Sequence, residues 1–81
     1  DLDVYPNPSR DVFNISFNTE QKQDITLRIR NIVGEEIYIE DLKQHDGTYT
    51  KALSLENYPK AVYFLEIETT QGTINKKLIL Q

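Results

Sequence analysis

The sequence predicts an all-β fold, a small antiparallel β-sandwich of about seven strands and of immunoglobulin-like type. Three observations carry that expectation. Apolar side chains recur with a period of two, as in Phe13, Ile15 and Phe17 against Asn14, Ser16 and Asn18, which is the signature of a half-buried strand. Polar or glycine-containing breaks fall about every 10–15 residues, the spacing of hairpin-connected short strands. The large apolar residues are Ile, Leu, Val, Tyr and Phe, with five Tyr, three Phe and no Trp or Met, a set that suits a pleated core.

The expected strands run over about 2–5, 11–18, 24–32, 35–41, 48–55, 61–69 and 73–80. Ile25, Leu27 and Ile29 alternate with Thr26, Arg28 and Arg30, and Ile37 and Ile39 alternate with Glu36, Tyr38 and Glu40. Tyr63, Leu65 and Ile67 alternate with Phe64, Glu66 and Glu68, and Ile74, Leu78 and Leu80 share a parity with Lys76. In each case the first set is the expected core face. Turns are expected over the polar stretch 18–23, at Val33-Gly34-Glu35, at 44–47, at 56–60 and at Thr70-Gln71-Gly72. Gly34 suits its turn because positive φ carries no steric cost for glycine. Tyr63 opens a strand just after a turn, the place of the tyrosine corner in immunoglobulin-like sandwiches, whose hydroxyl bonds upstream backbone. A core tyrosine with a solvated tip fits the same position.

A chain of 81 residues makes one domain. It lacks cysteine, which excludes a disulfide scaffold, a thiolate nucleophile and a thiolate metal site. No apolar run approaches the roughly 18 residues that span a bilayer, so direct membrane insertion is not expected. The start, Asp1-Leu2-Asp3, is neither an initiator nor a signal peptide, and a fragment of a larger secreted protein is expected. The net charge is −4 and only Lys76 and Lys77 are adjacent basic residues. There is no basic stripe of the kind nucleic acid requires.

Catalytic chemistry is equally sparse. His45 is the single histidine, beside Asp46-Gly47 in an expected solvated turn, and neither a second His nor a Cys stands ready to share a metal. Ser9, Ser16 and Ser54 have no base near them in sequence. Glu66 and Glu68 share a strand face, but a glycosidase also needs a cleft and one raised pKa, so a solvated sheet face is expected. Asp1 and Asp3 lack the regular oxygen-ligand spacing of a calcium loop. Asn14-Ile15-Ser16 matches a glycosylation acceptor but lies mid-strand. The three glycines are isolated and cradle no phosphate. No enzyme activity, metal or cofactor is expected. The Pro6-Asn7-Pro8 run forces extended, turn-prone backbone without implying function, and lysines on an edge strand discourage stray pairing.

Four elements in order nevertheless resemble one family, the C-terminal sorting domain of the type IX secretion system of Gram-negative bacteria. They are Val4-Tyr5-Pro6-Asn7-Pro8-Ser9 with the strand Val12–Ile15; the hairpin around Asn31-Ile32-Val33-Gly34; Gly47-Thr48-Tyr49 with Leu55 and Tyr58-Pro59-Lys60-Ala61-Val62-Tyr63-Phe64-Leu65; and Lys76-Lys77-Leu78-Ile79-Leu80. Two departures stand out. Arg10-Asp11 occupies a region where the family often has glycine, and Ala61 stands where glycine is usual. The resemblance implies a recognition signal carried by an N-terminal cargo domain. The cargo would cross the periplasm, pass the outer-membrane type IX translocon, and reach the cell surface or the medium, with a surface sortase removing the domain. It further implies fold roles for Tyr5, Pro6, Asn7, Pro8, Gly34, Gly47, Tyr49 and Tyr63.

Recognition is expected at Lys76, Lys77, Leu78, Ile79, Leu80 and Gln81. A free edge on the last strand would let a partner add a strand or seat the terminus in a pocket, and would also permit weak homodimerisation. Two other classes use the same fold: an immunoglobulin- or fibronectin-like spacer, and a carbohydrate-binding module. The latter would present exposed aromatics, for which Tyr38 and Phe64, on the polar parity of their strands, are the candidates.

Overall fold

The computed structural model describes residues 2–81. It is all-β and antiparallel, as expected, but has five strands rather than seven: β1 (Leu2–Tyr5), β2 (Val12–Arg30), β3 (Glu36–Ser54), β4 (Val62–Thr69) and β5 (Gly72–Ile79). They form one continuous sheet in the order β1-β2-β4-β5, with β3 also paired to β2. The expected pair of separate immunoglobulin-like sheets is therefore corrected to a single sheet curled on itself.

The difference lies in two segments read as turns. β2 and β3 are each 19 residues long and stay paired from Val12↔Ser54 to Arg30↔Glu36, with register shifts between Thr19 and Ile25. The first half of β2 pairs with β1, Leu2↔Phe17 to Tyr5↔Asn14. The second half pairs with β4, Thr26↔Glu68 to Arg30↔Phe64. Between the halves the ribbon bends, and most of its side chains there lie in solvent, with Leu42 and His45 half-buried. Alternation of apolar residues reports burial, not pairing, so a paired but solvated bend reads as a loop. The irregular backbone is satisfied locally: Asp24 Oδ1 accepts the Gln44 N–H at 2.9 Å and its side-chain amide at 3.1 Å, where Gln44 has φ 51°. These bonds hold the Asp24 carboxyl below its ordinary value.

The curl brings Phe13, Ile15 and Phe17 of one half against Ile25, Leu27 and Ile29 of the other. Tyr49, Leu53, Leu55, Tyr63, Leu65, Ile67, Leu78 and Leu80 complete one buried cluster. The expected core parity holds on β2, β4 and the end of β5 and fails in the first half of β3. There Glu40 lies opposite Leu27 and Tyr38 opposite Ile29, so the even-numbered residues face inward, whereas in the second half the odd-numbered Tyr49 and Leu53 do. Ile39, opposite Arg28, is 50% exposed.

Glu40 sits where the two halves of β3 face each other. Its Oε1 accepts hydrogen bonds from the hydroxyls of Tyr49 (2.7 Å) and Tyr38 (3.0 Å) and from Lys51 Nζ (3.4 Å). Burial pushes the Glu40 carboxyl up, but the two tyrosine bonds and the Lys51 charge outweigh it, and the net shift is downward. Tyr49 is pushed up by burial and by that carboxylate. Tyr49 also stacks on Phe17, with ring centroids 4.9 Å apart.

A carboxyl depressed in the folded state adds stability above its unfolded value and loses it as pH falls through the folded value. Stability is therefore expected to decline as pH falls below the ordinary glutamate value of 4.5. Thermal unfolding across pH should show a flatter decline in Glu40→Gln. Tyr49→Phe should cost about 1–3 kcal/mol at neutral pH through loss of its bond to a charged acceptor.

Candidate functional site

The expected recognition residues all lie at the end of the chain on or beside β5, and the structure joins them to the Pro-rich segment from the other end. Among the described residues β5 pairs as a strand only with β4, from Gly72↔Thr69 to Ile79↔Val62. In an antiparallel ladder successive residues turn their backbone groups alternately toward and away from the neighbour. The Leu80 N–H donates to the Ala61 carbonyl at 3.0 Å, so even-numbered residues of this strand bond β4 and odd-numbered residues point outward.

That outward edge is free over only part of its length. The Asn7 side chain donates from Nδ2 to the Lys77 carbonyl at 2.7 Å and accepts the Ile79 N–H on Oδ1 at 2.9 Å. Ser9 then continues the pairing with backbone: its N–H donates to the Ile79 carbonyl and its carbonyl accepts the Gln81 N–H, each at 2.9 Å. The result is a parallel bridge between Ser9 and Leu80. Strand addition along the whole terminal strand is thus corrected: the portion from the Lys77 carbonyl to the Gln81 N–H is already occupied.

The sequence explains why this segment serves. Pro6 and Pro8 have no N–H and fixed φ, so neither propagates a regular strand. The two prolyl bonds, Tyr5–Pro6 and Asn7–Pro8, are cis. Between them, Asn is the short side chain that carries a donor and an acceptor on one planar amide. Ser9 is buried, and its hydroxyl bonds the Val12 carbonyl while accepting the Asp11 N–H. Tyr5 is exposed, and its carbonyl accepts from the Asn14 side chain.

The side chains of the terminal strand divide by role. Leu78 and Leu80 are buried in the core, Ile79 is half-buried on the outer face, and Lys76, Lys77 and Gln81 are exposed. No carboxylate among the described residues lies within ion-pair distance of Lys76 or Lys77.

The remaining candidates are structural. Tyr63 is buried and its hydroxyl donates to the Pro59 carbonyl at 2.6 Å, the upstream backbone bond of a tyrosine corner. In the β2–β3 turn Asn31 Oδ1 accepts the Val33 and Glu35 N–H groups, while the Gly34 N–H bonds the Asn31 carbonyl. Gly34 has φ 86° and Gly47, opposite Thr19 at the bend, has φ 88°.

Glu66 and Glu68 do not form a catalytic pair. Both take Arg28 Nη1, at 3.0 and 2.8 Å, while Arg28 Nε lies 3.3 Å from Glu36. His45 is corrected from a solvated turn to a half-buried residue within β3, edge-on to Phe17 and Tyr49 with centroids 6.0 and 5.9 Å away. Tyr38 faces inward whereas Phe64, opposite Arg30 and Lys77, faces outward, so the two make no common sugar-stacking platform. Asp1 lies outside the described residues. Among the described residues no group of three or more His, Cys, Asp or Glu is placed to hold a metal ion, and no helix is long and apolar enough to cross a membrane.

The family of secretion system C-terminal sorting domains matches residues 3–81 of this chain. The chain belongs to that family, the type IX secretion sorting domains. No curated protein matches it. The family assigns a sorting signal that engages the type IX secretion machinery on a protein destined for the cell surface or extracellular space.

Asn7→Ala removes two bonds and leaves the Lys77 carbonyl and Ile79 N–H without partners. Both are solvent-accessible, so the expected loss is about 1–2 kcal/mol. Thermal denaturation reads the loss, and amide exchange should show Ile79 exchanging faster than Leu78.

Proposed function

We propose that this domain is the recognition signal that directs an attached N-terminal cargo through the outer-membrane type IX translocon of a Gram-negative bacterium. The cargo arrives from the periplasm, and a surface sortase removes the domain, leaving the cargo at the cell surface or in the medium. The observation that supports this reading is the family match over residues 3–81. The domain acts as a ligand and performs no catalysis. Lys76, Lys77 and Gln81 form the exposed part of the signal, with Ile79 beside them. Leu78 and Leu80 anchor the strand in the core, so they act by holding the signal in shape. Tyr5, Pro6, Asn7, Pro8, Gly34, Gly47, Tyr49 and Tyr63 serve the fold.

A fluorescent reporter bearing residues 1–81 behind an ordinary secretory signal peptide tests the reading. It is expected at the surface or in the medium of a type IX-competent bacterium and in the periplasm of a translocon-deficient strain. Folded reporter trapped in the periplasm of both strains would contradict the reading and favour a spacer module. Reporter export should also fall in Leu78→Asp, in proportion to the loss of folded domain, because a buried unpaired carboxylate costs several kcal/mol.

A further inference from the structure

The Asn7–Ser9 clamp stops short. The outward backbone groups of Thr73 and Asn75, and the Lys77 N–H, have no partner among the described residues. These residues are exposed. Beside them Ile74, 50% exposed, lines a groove of about 280 Å³ with Leu2, Phe17 and Ile67. An open row of alternating donors and acceptors next to an apolar groove is the arrangement that accepts an added strand.

Lys76 and Lys77 decide which strand. Successive residues of a strand project to opposite faces, so a segment laid along this edge meets one ammonium on each face. Neither lysine has a carboxylate of the described residues within ion-pair distance. Arg28, two strands away, is by contrast ion-paired with Glu36, Glu66 and Glu68. Edge lysines disfavour neutral strands, which would strip water from the ammonium groups, and repel basic ones, whereas a segment carrying carboxylates is attracted, so one feature both excludes and selects.

Resting on the sorting reading, we propose that the secretion machinery contributes an extended acidic segment that pairs with β5 along Thr73–Lys77. It places an apolar side chain in the groove at Ile74 and carboxylates against Lys76 and Lys77, and it ends where Asn7 takes over the edge. The clamp therefore sets the register: it denies the partner the last residues and leaves one short open stretch. A polypeptide fits better than an anionic glycan because a glycan would leave the alternating N–H and C=O groups unmatched.

Amide exchange on the wild-type chain, mixed with outer membranes from type IX-competent bacteria and from a translocon-deficient strain, tests the assignment. With competent membranes alone, Thr73, Asn75 and Lys77 are expected to gain protection, Ile79 and Gln81 to remain unchanged, and the effect to weaken as salt rises. Protection confined to other strands would overturn the assignment. Protection in the chain alone that grows with its concentration would make a second copy the occupant and overturn it too. Association with neither membrane would remove the sorting reading itself, and this inference with it.

Two variants complete the test in the reporter assay. Asn75→Pro removes an N–H that bonds nothing among the described residues, on an edge that tolerates proline. Lys76→Glu with Lys77→Glu reverses the charge. Each is expected to lower export about tenfold or more while unfolding within a few degrees of wild type. Wild-type export by a folded Asn75→Pro reporter would refute strand addition. Loss of export in the lysine variant alone would point instead to an anionic glycan.

Discussion

The Asn7 carboxamide bonds both the Lys77 carbonyl and the Ile79 N–H, and so takes the place of one residue of a neighbouring strand. Ser9 follows with two backbone bonds to the residues beyond. A terminal strand paired on one side only would rely on the burial of Leu78 and Leu80 and would fray from its end. Held on both sides, it becomes part of the rigid body. The clamp also ties the segment before β2 to the far edge of the sheet, which helps to keep the curl shut on the side away from β3. On the other side Glu40 serves the corresponding purpose, joining the two halves of β3 through Tyr38, Tyr49 and Lys51.

This arrangement separates two roles within Lys76–Leu80, anchoring in the core and, on the proposed reading, display of the signal. Its leucines are core residues and its lysines are surface residues, and the alternation of the strand assigns them without conflict. On the proposed reading the signal depends on the fold: the lysines hold a fixed geometry only while the leucines are buried and the edge is capped. The proline-rich opening and the basic-apolar ending are two sides of one structural unit, which accounts for finding both in a chain that carries so little else of note.

Much of the fold is legible in the sequence because burial imposes the period of two wherever one face is covered. The strand pattern of β2 at both ends, of β4 and of the close of β5 follows from that rule, and so do the turns at Val33-Gly34-Glu35 and Thr70-Gln71-Gly72. The rule fails where its premise fails. At the bend of β2 and β3 no side chain is fully buried, so paired backbone looks like loop. On β3 both parities carry amphipathic or apolar residues, and Ile37 and Ile39 outweigh Tyr38 and Glu40 on any hydrophobic count although register places the latter inside. His45 borrows its burial from Phe17 and Tyr49, neither of which adjoins it in sequence. The clamp is further still from local signals, since Asn7 and Lys77 are 70 residues apart and an asparagine between prolines ordinarily marks a turn.

The most direct measurement is the detection by NMR of scalar couplings across the hydrogen bonds of the clamp in the folded chain. Coupling is predicted between the Ser9 amide nitrogen and the Ile79 carbonyl carbon, and between the Gln81 amide nitrogen and the Ser9 carbonyl carbon, with slow exchange at both amides. A chain whose β2, β3 and β4 amides are protected while these couplings are missing and residues 77–81 show random-coil shifts would contradict the account. The terminal strand would then be a free tail rather than a clamped edge.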